Sequence, residues 1–147
     1  MRFSIVLWAL ALIGCAASPP PPVIEHLTAP GTPPGLPFSP AVRVGDLIFL
    51  SGQIGNLPGQ TTLVSGGIEA ETRQALENIK SVLEANGSAM NRVFKCTVMM
   101  ADMKEWPAMN AVYATYFPEK PARSAVGATG LALGARVEIE CAALQGR

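Results

Sequence analysis

Two amphipathic helical patterns separated by strand patterns constrain the fold of this chain most strongly. Residues 68–86 repeat apolar side chains at helical spacing, with Leu76, Ile79 and Leu83 on one stripe, and Gly87 follows as a stop signal. A second helix is predicted over 103–117, where Asp102 and Glu105 have the spacing of a capping box. Its apolar stripe is interpreted as a core-facing side rather than a ligand platform, and consists of Trp106, Met109, Tyr113 and Tyr116.

Short β-rich segments surround these helices. Strands are predicted at 41–44, 47–53, 93–100, 122–126 and 136–143, with Gly45-Asp46 as a hairpin turn between the first two. Alternation within the third strand predicts one side made of Phe94, Cys96, Val98 and Met100. The order ββαβαββ predicts an α+β fold with one mixed sheet and two helices packed on one face. Because apolar side chains on the other face would be exposed, oligomerisation through the sheet is expected.

The N-terminus has the layout of a secretory signal peptide. Arg2 precedes an apolar run from Ile5 to Ile13, which is shorter than the ~20 residues that a membrane-spanning helix needs. Gly14 directly before Cys15 resembles the bacterial lipobox, so residues 1–14 are predicted to be removed and Cys15 to be lipidated. The alternative is ordinary cleavage near Ala16. Since Ala16 is not an aspartate, the outer membrane is favoured over the inner one.

A proline-rich segment follows the leader. Eight prolines fall between positions 19 and 37, so residues 15–36 are predicted to be a lipidated cysteine and an extended stalk. Residues 37–147 then provide about 110 residues, enough for one domain with its own core. We expect an exported protein, anchored by lipid at the periplasmic face of a bacterial membrane.

Composition excludes several kinds of chemistry. Eleven basic and eleven acidic residues balance, which argues against a nucleic-acid partner. The single histidine, His26, lies in the predicted stalk, so histidine-based catalysis and histidine-rich metal sites are not expected. No nucleotide-binding motif is present, and no cofactor or metal is predicted. Cys96 and Cys141 each lie in an apolar strand; a disulfide between them is one interpretation, and buried free thiols are preferred.

Two glutamates in the last strand are candidates for proton transfer. Glu138 and Glu140 are two residues apart and leave the same face of the strand. Arg123 and Ser124 occupy the preceding strand, and an arginine there suits a carboxylate ligand through two parallel hydrogen bonds. A partly buried glutamate nearby suits the orientation or deprotonation of a water. On spacing alone, the favoured interpretation is a fixed ion pair of Arg123 with either glutamate, with nothing bound.

Four motifs in one order give a specific resemblance: Ser51-Gly52-Gln53-Ile54, Asn110-Ala111-x-Tyr113, Pro121-Ala122-Arg123-Ser124 and Val137-Glu138-Ile139-Glu140. Residues 36–147 resemble the RidA family, also called YjgF or L-PSP. The resemblance implies a chorismate-mutase-like fold and a homotrimer with ligand clefts between subunits. It also implies hydrolysis of enamines and imines, such as 2-aminoacrylate, to a 2-keto acid and ammonia.

The resemblance assigns roles to individual residues. Arg123 would grip the substrate carboxylate, and Glu138 would position or activate the hydrolytic water. Ser51 and Asn110 match positions lining the family cleft, although a hydroxyl bonded to backbone and an amide bonded locally are equally good interpretations. Ser124 neighbours the arginine and is a further substrate-binding candidate.

Two departures from the archetype affect the expected substrate. Phe38 replaces a tyrosine at the cleft entrance, and Ala125 replaces a common cysteine beside the Arg-Ser pair. The pocket rim should therefore be more apolar, and the space by Ala125 larger. A non-catalytic binding protein for small carboxylates is the alternative function. An endoribonuclease ranks last because of the neutral charge and the absent site histidine.

Overall fold

The computed structural model describes residues 21 and 23–146. The predicted signal peptide, Cys15 and the first prolines of the predicted stalk lie outside the described residues. Among the described residues, no helix is both long and apolar enough to cross a bilayer. Seven strands form one sheet and two α-helices pack on it, which confirms the α+β prediction. In chain order the elements are β1 Ile24–Leu27, β2 Ala41–Val44, β3 Leu47–Leu50, β4 Gln53–Ile54, α1 Gly67–Ala85, β5 Val93–Met100, α2 Trp106–Tyr116, β6 Ala122–Gly127 and β7 Val137–Leu144.

The sheet is mixed, with the order β1-β2-β3-β7-β5-β6, and β4 pairs with β7 beyond the end of β3. Only β5 and β6 are parallel to each other. Parallel neighbours need a crossover connection, and α2 supplies it. This topology places β6 at one edge of the sheet, beside β5 and two strands away from β7.

One face of the sheet and the apolar stripes of both helices form the core. Leu76, Ile79 and Leu83 of α1 are fully buried, as the helical spacing predicts. In β7, Val137 and Ile139 are also fully buried, whereas the side chains of Glu138 and Glu140 leave the opposite face. Burying side chains of this size contributes about 1.5–3 kcal/mol each. The core therefore fixes which face of β7 each side chain occupies.

A strand lies within the segment that the proline pattern assigns to a stalk. Residues Ile24–Leu27 form β1 and pair antiparallel with β2, so the interpretation of 15–36 as a stalk is wrong for this segment. No proline falls within these four residues, and their amides are free to pair. His26 lies exposed on β1, with Nδ1 3.2 Å from Ser39 Oγ.

Three local predictions differ in detail. A bulge between Val93 and Lys95 shifts the alternation of β5. Val93 is therefore buried, whereas Phe94, predicted to share a side with the buried Cys96, is 42% exposed. The predicted strand 47–53 is interrupted at 51–52. The predicted helix 103–117 begins as a 3₁₀ turn, where the Asp102 carboxylate accepts from the Lys104 amide at 2.9 Å, and α2 starts at Trp106.

The preference for free cysteines is wrong. Cys96 of β5 and Cys141 of β7 lie directly opposite each other, with Cα atoms 4.1 Å apart, and form a disulfide. Sequence alone does not reveal that these two strands are neighbours, so it does not distinguish a bonded pair from two buried thiols. The bond closes a separation of 45 residues across the middle of the core.

Candidate active site

Arg123 lies on the edge strand β6, with its guanidinium packed on aromatic rings. The guanidinium carbon is 4.6 Å from the ring centroid of Tyr113 and 5.6 Å from that of Trp106, both in α2. Among residues 21 and 23–146, no carboxylate or carbonyl accepts a hydrogen bond from this guanidinium, and it forms no ion pair. The favoured interpretation of a fixed pair with Glu138 or Glu140 is therefore wrong. The hydrogen-bonding groups of Arg123 remain available for an anionic ligand.

Glu138 lies in a cleft that Arg123 does not line. The cleft has a volume of about 440 Å³ and is bordered by the β3–β4 connection, by the loops within 29–40 and 56–61, and by α1. Gly52 leaves the space that the carboxylate occupies. A β-carbon at position 52 would overlap Glu138 Oε1 and lie 2.8 Å from its Cδ. Glycine is thus required beside the glutamate by close approach rather than by an unusual backbone angle.

The mouth of this cleft is apolar and its walls carry amide groups. Leu36, Phe38 and Leu133 are 39%, 54% and 56% exposed and line it together. Leu133 has a φ of 56°, a left-handed conformation that a branched residue rarely adopts. Phe38 thus lines the same cleft as Glu138, and its role at the entrance stays a prediction.

The other predicted site residues lie in different parts of the structure. The Ser51 hydroxyl donates to the Ser39 carbonyl at 2.7 Å, as its structural interpretation requires, and Ser51 does not line the cleft. Asn110 lies on α2 at helical spacing from Trp106 and Tyr113, on the arginine side. Its side chain is partly buried.

Neighbours of Arg123 on β6 alternate between the two faces of the sheet. Ala125 is partly buried against the core on the same face as Arg123. Ser124 leaves the opposite face, where its hydroxyl accepts from Lys95 Nζ at 3.0 Å. The Arg-Ser pair therefore does not act on one ligand from one side of the strand.

Arg123 and Glu138 do not meet within one chain. Arg123 aligns with Cys96 of β5, which aligns with Cys141 of β7, and Glu138 is three residues from Cys141. Two strand spacings of about 4.8 Å and three residues of about 3.3 Å place the two Cα atoms roughly 14 Å apart. An odd number of residues also sends the two side chains to opposite faces. The two groups of a single copy therefore leave opposite faces of the sheet and do not face a common site.

Comparisons with known proteins agree with this fold and these motifs. The family model described as Endoribonuclease L-PSP matches residues 30–145. The chain belongs to this family, RidA/YjgF.

Relatives in the family match most of the domain. A 2-iminobutanoate/2-iminopropanoate deaminase from Mus musculus is 45% identical over 111 residues, which cover 75% of this chain and 82% of the relative. The Homo sapiens protein of the same name is 42% identical over 125 residues, covering 84% and 90%. The crystal structure of RidA from an Antarctic Psychrobacter superposes with a TM-score of 0.75 at 34% identity, covering 82% of this chain and 98% of that one.

Several residues of this RidA-family site were not predicted from the sequence. Trp106 and Tyr113 were assigned to the core alone, and they do pack there, but they also support Arg123. Burial raises the pKa of Tyr113 above its usual value, and the nearby Arg123 charge lowers it in part. Gly52 belongs to the motif Ser51-Gly52-Gln53-Ile54, and this membership is the sequence signal that points to it. Leu133 lies in a small-residue loop without a periodic pattern, and nothing in the sequence pointed to it.

Proposed function

We propose that this chain is an imine and enamine deaminase, which hydrolyses small 2-imino acids to 2-keto acids and ammonia. One observation carries the proposal: Arg123 and Glu138 each lack an ionic partner among the described residues. Arg123 packs on two aromatic rings, and Glu138 lines the cleft. A guanidinium with open donors suits the carboxylate of such a substrate. The names of the mouse and human relatives support the same reaction.

The reaction requires little of the protein beyond positioning and one proton-transfer group. Glu138 accepts a proton from a water, the water oxygen bonds to the imine carbon, and the imine nitrogen takes up a proton. The hydroxyl then gives up its proton, which Glu138 passes to the nitrogen; the carbon–nitrogen bond breaks, ammonia leaves and the keto group forms. Since the imine carbon is already electrophilic, no covalent nucleophile is needed for these steps.

Two copies of the chain are needed to form the complete site. Arg123 and Glu138 lie on opposite faces and roughly 14 Å apart, so we place the reaction between the Arg123 side of one copy and the Glu138 cleft of its neighbour. The homotrimer implied by the family resemblance provides such contacts. Apolar side chains on the helix-free face support assembly, since Phe49, Val126 and Leu144 are each more than 40% exposed there.

A direct assay tests the activity. Imines generated in place from several amino acids would be supplied to wild type, Arg123→Ala and Glu138→Ala. We expect acceleration over the buffer rate by wild type and its loss in both variants. Glu140→Ala is the matched control, because Glu140 is exposed on the same face of β7 and does not line the cleft. Absence of acceleration by wild type would refute the deaminase. A rise in thermal midpoint with keto acids but no turnover would indicate the alternative, a carboxylate-binding protein.

For location, we propose export and lipid anchoring through Cys15 at the periplasmic face, with the outer membrane favoured. The leader pattern of residues 1–14 supports this, and the Cys96–Cys141 disulfide is typical of an oxidising compartment. Radiolabelled palmitate should enter the wild-type chain and not Cys15→Ser when both are expressed in a bacterial host. Equal labelling of the two, or no labelling of either, would contradict the lipid anchor.

A further inference from the structure

The surroundings of Arg123 restrict its side chain in a specific way. The guanidinium lies over two rings of α2, at 4.6 Å from the Tyr113 centroid and 5.6 Å from the Trp106 centroid. A cation over an aromatic face is attracted by the ring quadrupole. The rings offer no carboxylate or carbonyl oxygen, so this contact leaves the fork of N–H donors without an acceptor among the described residues.

The two rings are themselves firmly held. Tyr113 is only 6% exposed, and its ring centroid lies 4.6 Å from that of Phe117 at the end of α2. Trp106 is the first residue of α2 and packs against the core while remaining partly exposed. The rings lie two helical turns apart on one stripe, so the rigid helix sets their spacing. Arg123 therefore rests on a surface with little freedom of its own.

This arrangement differs from the usual way in which proteins hold an arginine. Arg136, for comparison, forms ion pairs with the carboxylates of Glu71 and Glu105, and its Nη1 donates a hydrogen bond to Glu105. A carboxylate beside Arg123 would fill the donors that a substrate needs. Aromatic rings restrict the side chain without competing for those donors, and they preserve its positive charge.

We propose that Trp106 and Tyr113 are positioning residues that preorganise Arg123 for the substrate carboxylate. They act through the guanidinium and do not touch the reacting atoms. This inference rests on the proposed function, because it assigns the rings a task in substrate binding. Since Arg123 holds the carboxylate in both ground state and transition state, loss of a ring should raise KM and leave kcat nearly unchanged.

Trp106 provides the cleaner substitution, because it is partly exposed and Tyr113 is buried. Trp106→Leu removes the aromatic face, and the matched control Trp106→Phe retains one. We expect Trp106→Leu to raise KM for 2-iminobutanoate by about two- to fivefold, the range of an ordinary cation–π contact. Trp106→Phe should stay within about twofold of wild type. KM does not depend on the fraction of folded enzyme, so partial unfolding of a variant does not imitate the result.

A spectroscopic measurement reports on the contact itself. The chain has two tryptophans, Trp8 and Trp106, so Trp8→Phe in the full-length chain leaves Trp106 as the sole emitter. Titration with 2-oxobutanoate, the product expected from 2-iminobutanoate, should change this emission. The same titration should have no effect in the additional Arg123→Ala variant.

The outcomes separate the two proposals. If wild type is active and Trp106→Leu has the KM of wild type, the positioning role is wrong and the deaminase stands. If wild type lacks activity but 2-oxobutanoate changes Trp106 emission only when Arg123 is present, the positioning role stands and the deaminase is wrong. If wild type lacks activity and 2-oxobutanoate does not change Trp106 emission, both are wrong.

Discussion

Mixing two inactive variants should restore activity if the site lies between copies. Arg123→Ala removes the proposed carboxylate-binding group, and Glu138→Ala removes the proposed proton-transfer group. The backbone register places these residues roughly 14 Å apart on opposite faces, so each complete site must draw one group from each of two neighbouring copies. Either variant alone should be inactive at every site.

The recovered activity follows from simple counting. In a random mixture with equal amounts of the two variants, a site is complete only when the copy that supplies arginine carries Glu138→Ala and its neighbour carries Arg123→Ala. Each condition holds half the time, so about one quarter of wild-type activity per chain should return, whatever the number of copies in a closed ring. A mixture of Arg123→Ala with the active control Glu140→Ala should retain about one half.

The assay is imine hydrolysis after the two chains have been unfolded together and refolded. Size-exclusion chromatography with differently tagged chains would confirm that mixed oligomers form. Activity that stays at the level of the parent variants, in oligomers shown to be mixed, would refute the reasoning. It would mean that both groups act within one copy, against the strand register.

Three further measurements test other parts of the structure. Gly52→Ala should lower kcat as strongly as loss of the cleft glutamate, because the new β-carbon displaces that carboxylate. Gly130→Ala, which adds a β-carbon in open space, should leave kcat unchanged. Equal activity of the two variants would contradict the close approach. Joint replacement of Cys96 and Cys141 by alanine should lower the free energy of unfolding, measured by denaturant titration, by up to about 4 kcal/mol, because the bond closes a loop of 45 residues. An unchanged denaturation midpoint would argue against the bond. The pKa of Tyr116 is raised to about 12, mainly by burial and secondly by the hydrogen bond to a glutamate, so the folded state favours the neutral phenol. The resulting contribution to folding stability is present below about pH 10 and is lost between pH 10 and 12. Tyr116→Phe should therefore show a smaller fall in thermal midpoint between pH 8 and pH 11, and an equal fall in both proteins would contradict this origin.

Local patterns in the sequence predicted most of the secondary structure. The strand Val93–Met100 was predicted with its observed ends, and α1 was predicted within one residue at each end. Both patterns are continuous, strongly periodic and bounded by clear stop signals. Residues Ile24–Leu27 were missed because the surrounding prolines dominate the composition of that segment, although none interrupts the four residues that pair.

The site was harder to predict because it depends on strand order. The sequence indicated Arg123 and Glu138 as candidate groups, and their roles stay a prediction; Phe38 lines the same cleft as Glu138. It did not reveal that β5 lies between β6 and β7, which decides the face and the distance that separate the two charged groups. The expected ion pair failed for this reason. Residues that act by supporting others, such as Trp106, have the same spacing as ordinary core residues and cannot be distinguished by pattern.

The disulfide lies at the point where this strand order matters most. Cys96 is the β5 partner of both Arg123 and Cys141, so the bond ties the strand beside the arginine to the strand that carries the glutamate. Because neighbouring copies would each contribute one half of a site, the angle and register of these three strands determine whether the halves meet. A covalent bond between the central pair limits shear between them. Such bonds persist mainly in oxidising compartments. The disulfide therefore supports the proposed export by an argument that does not depend on the leader pattern.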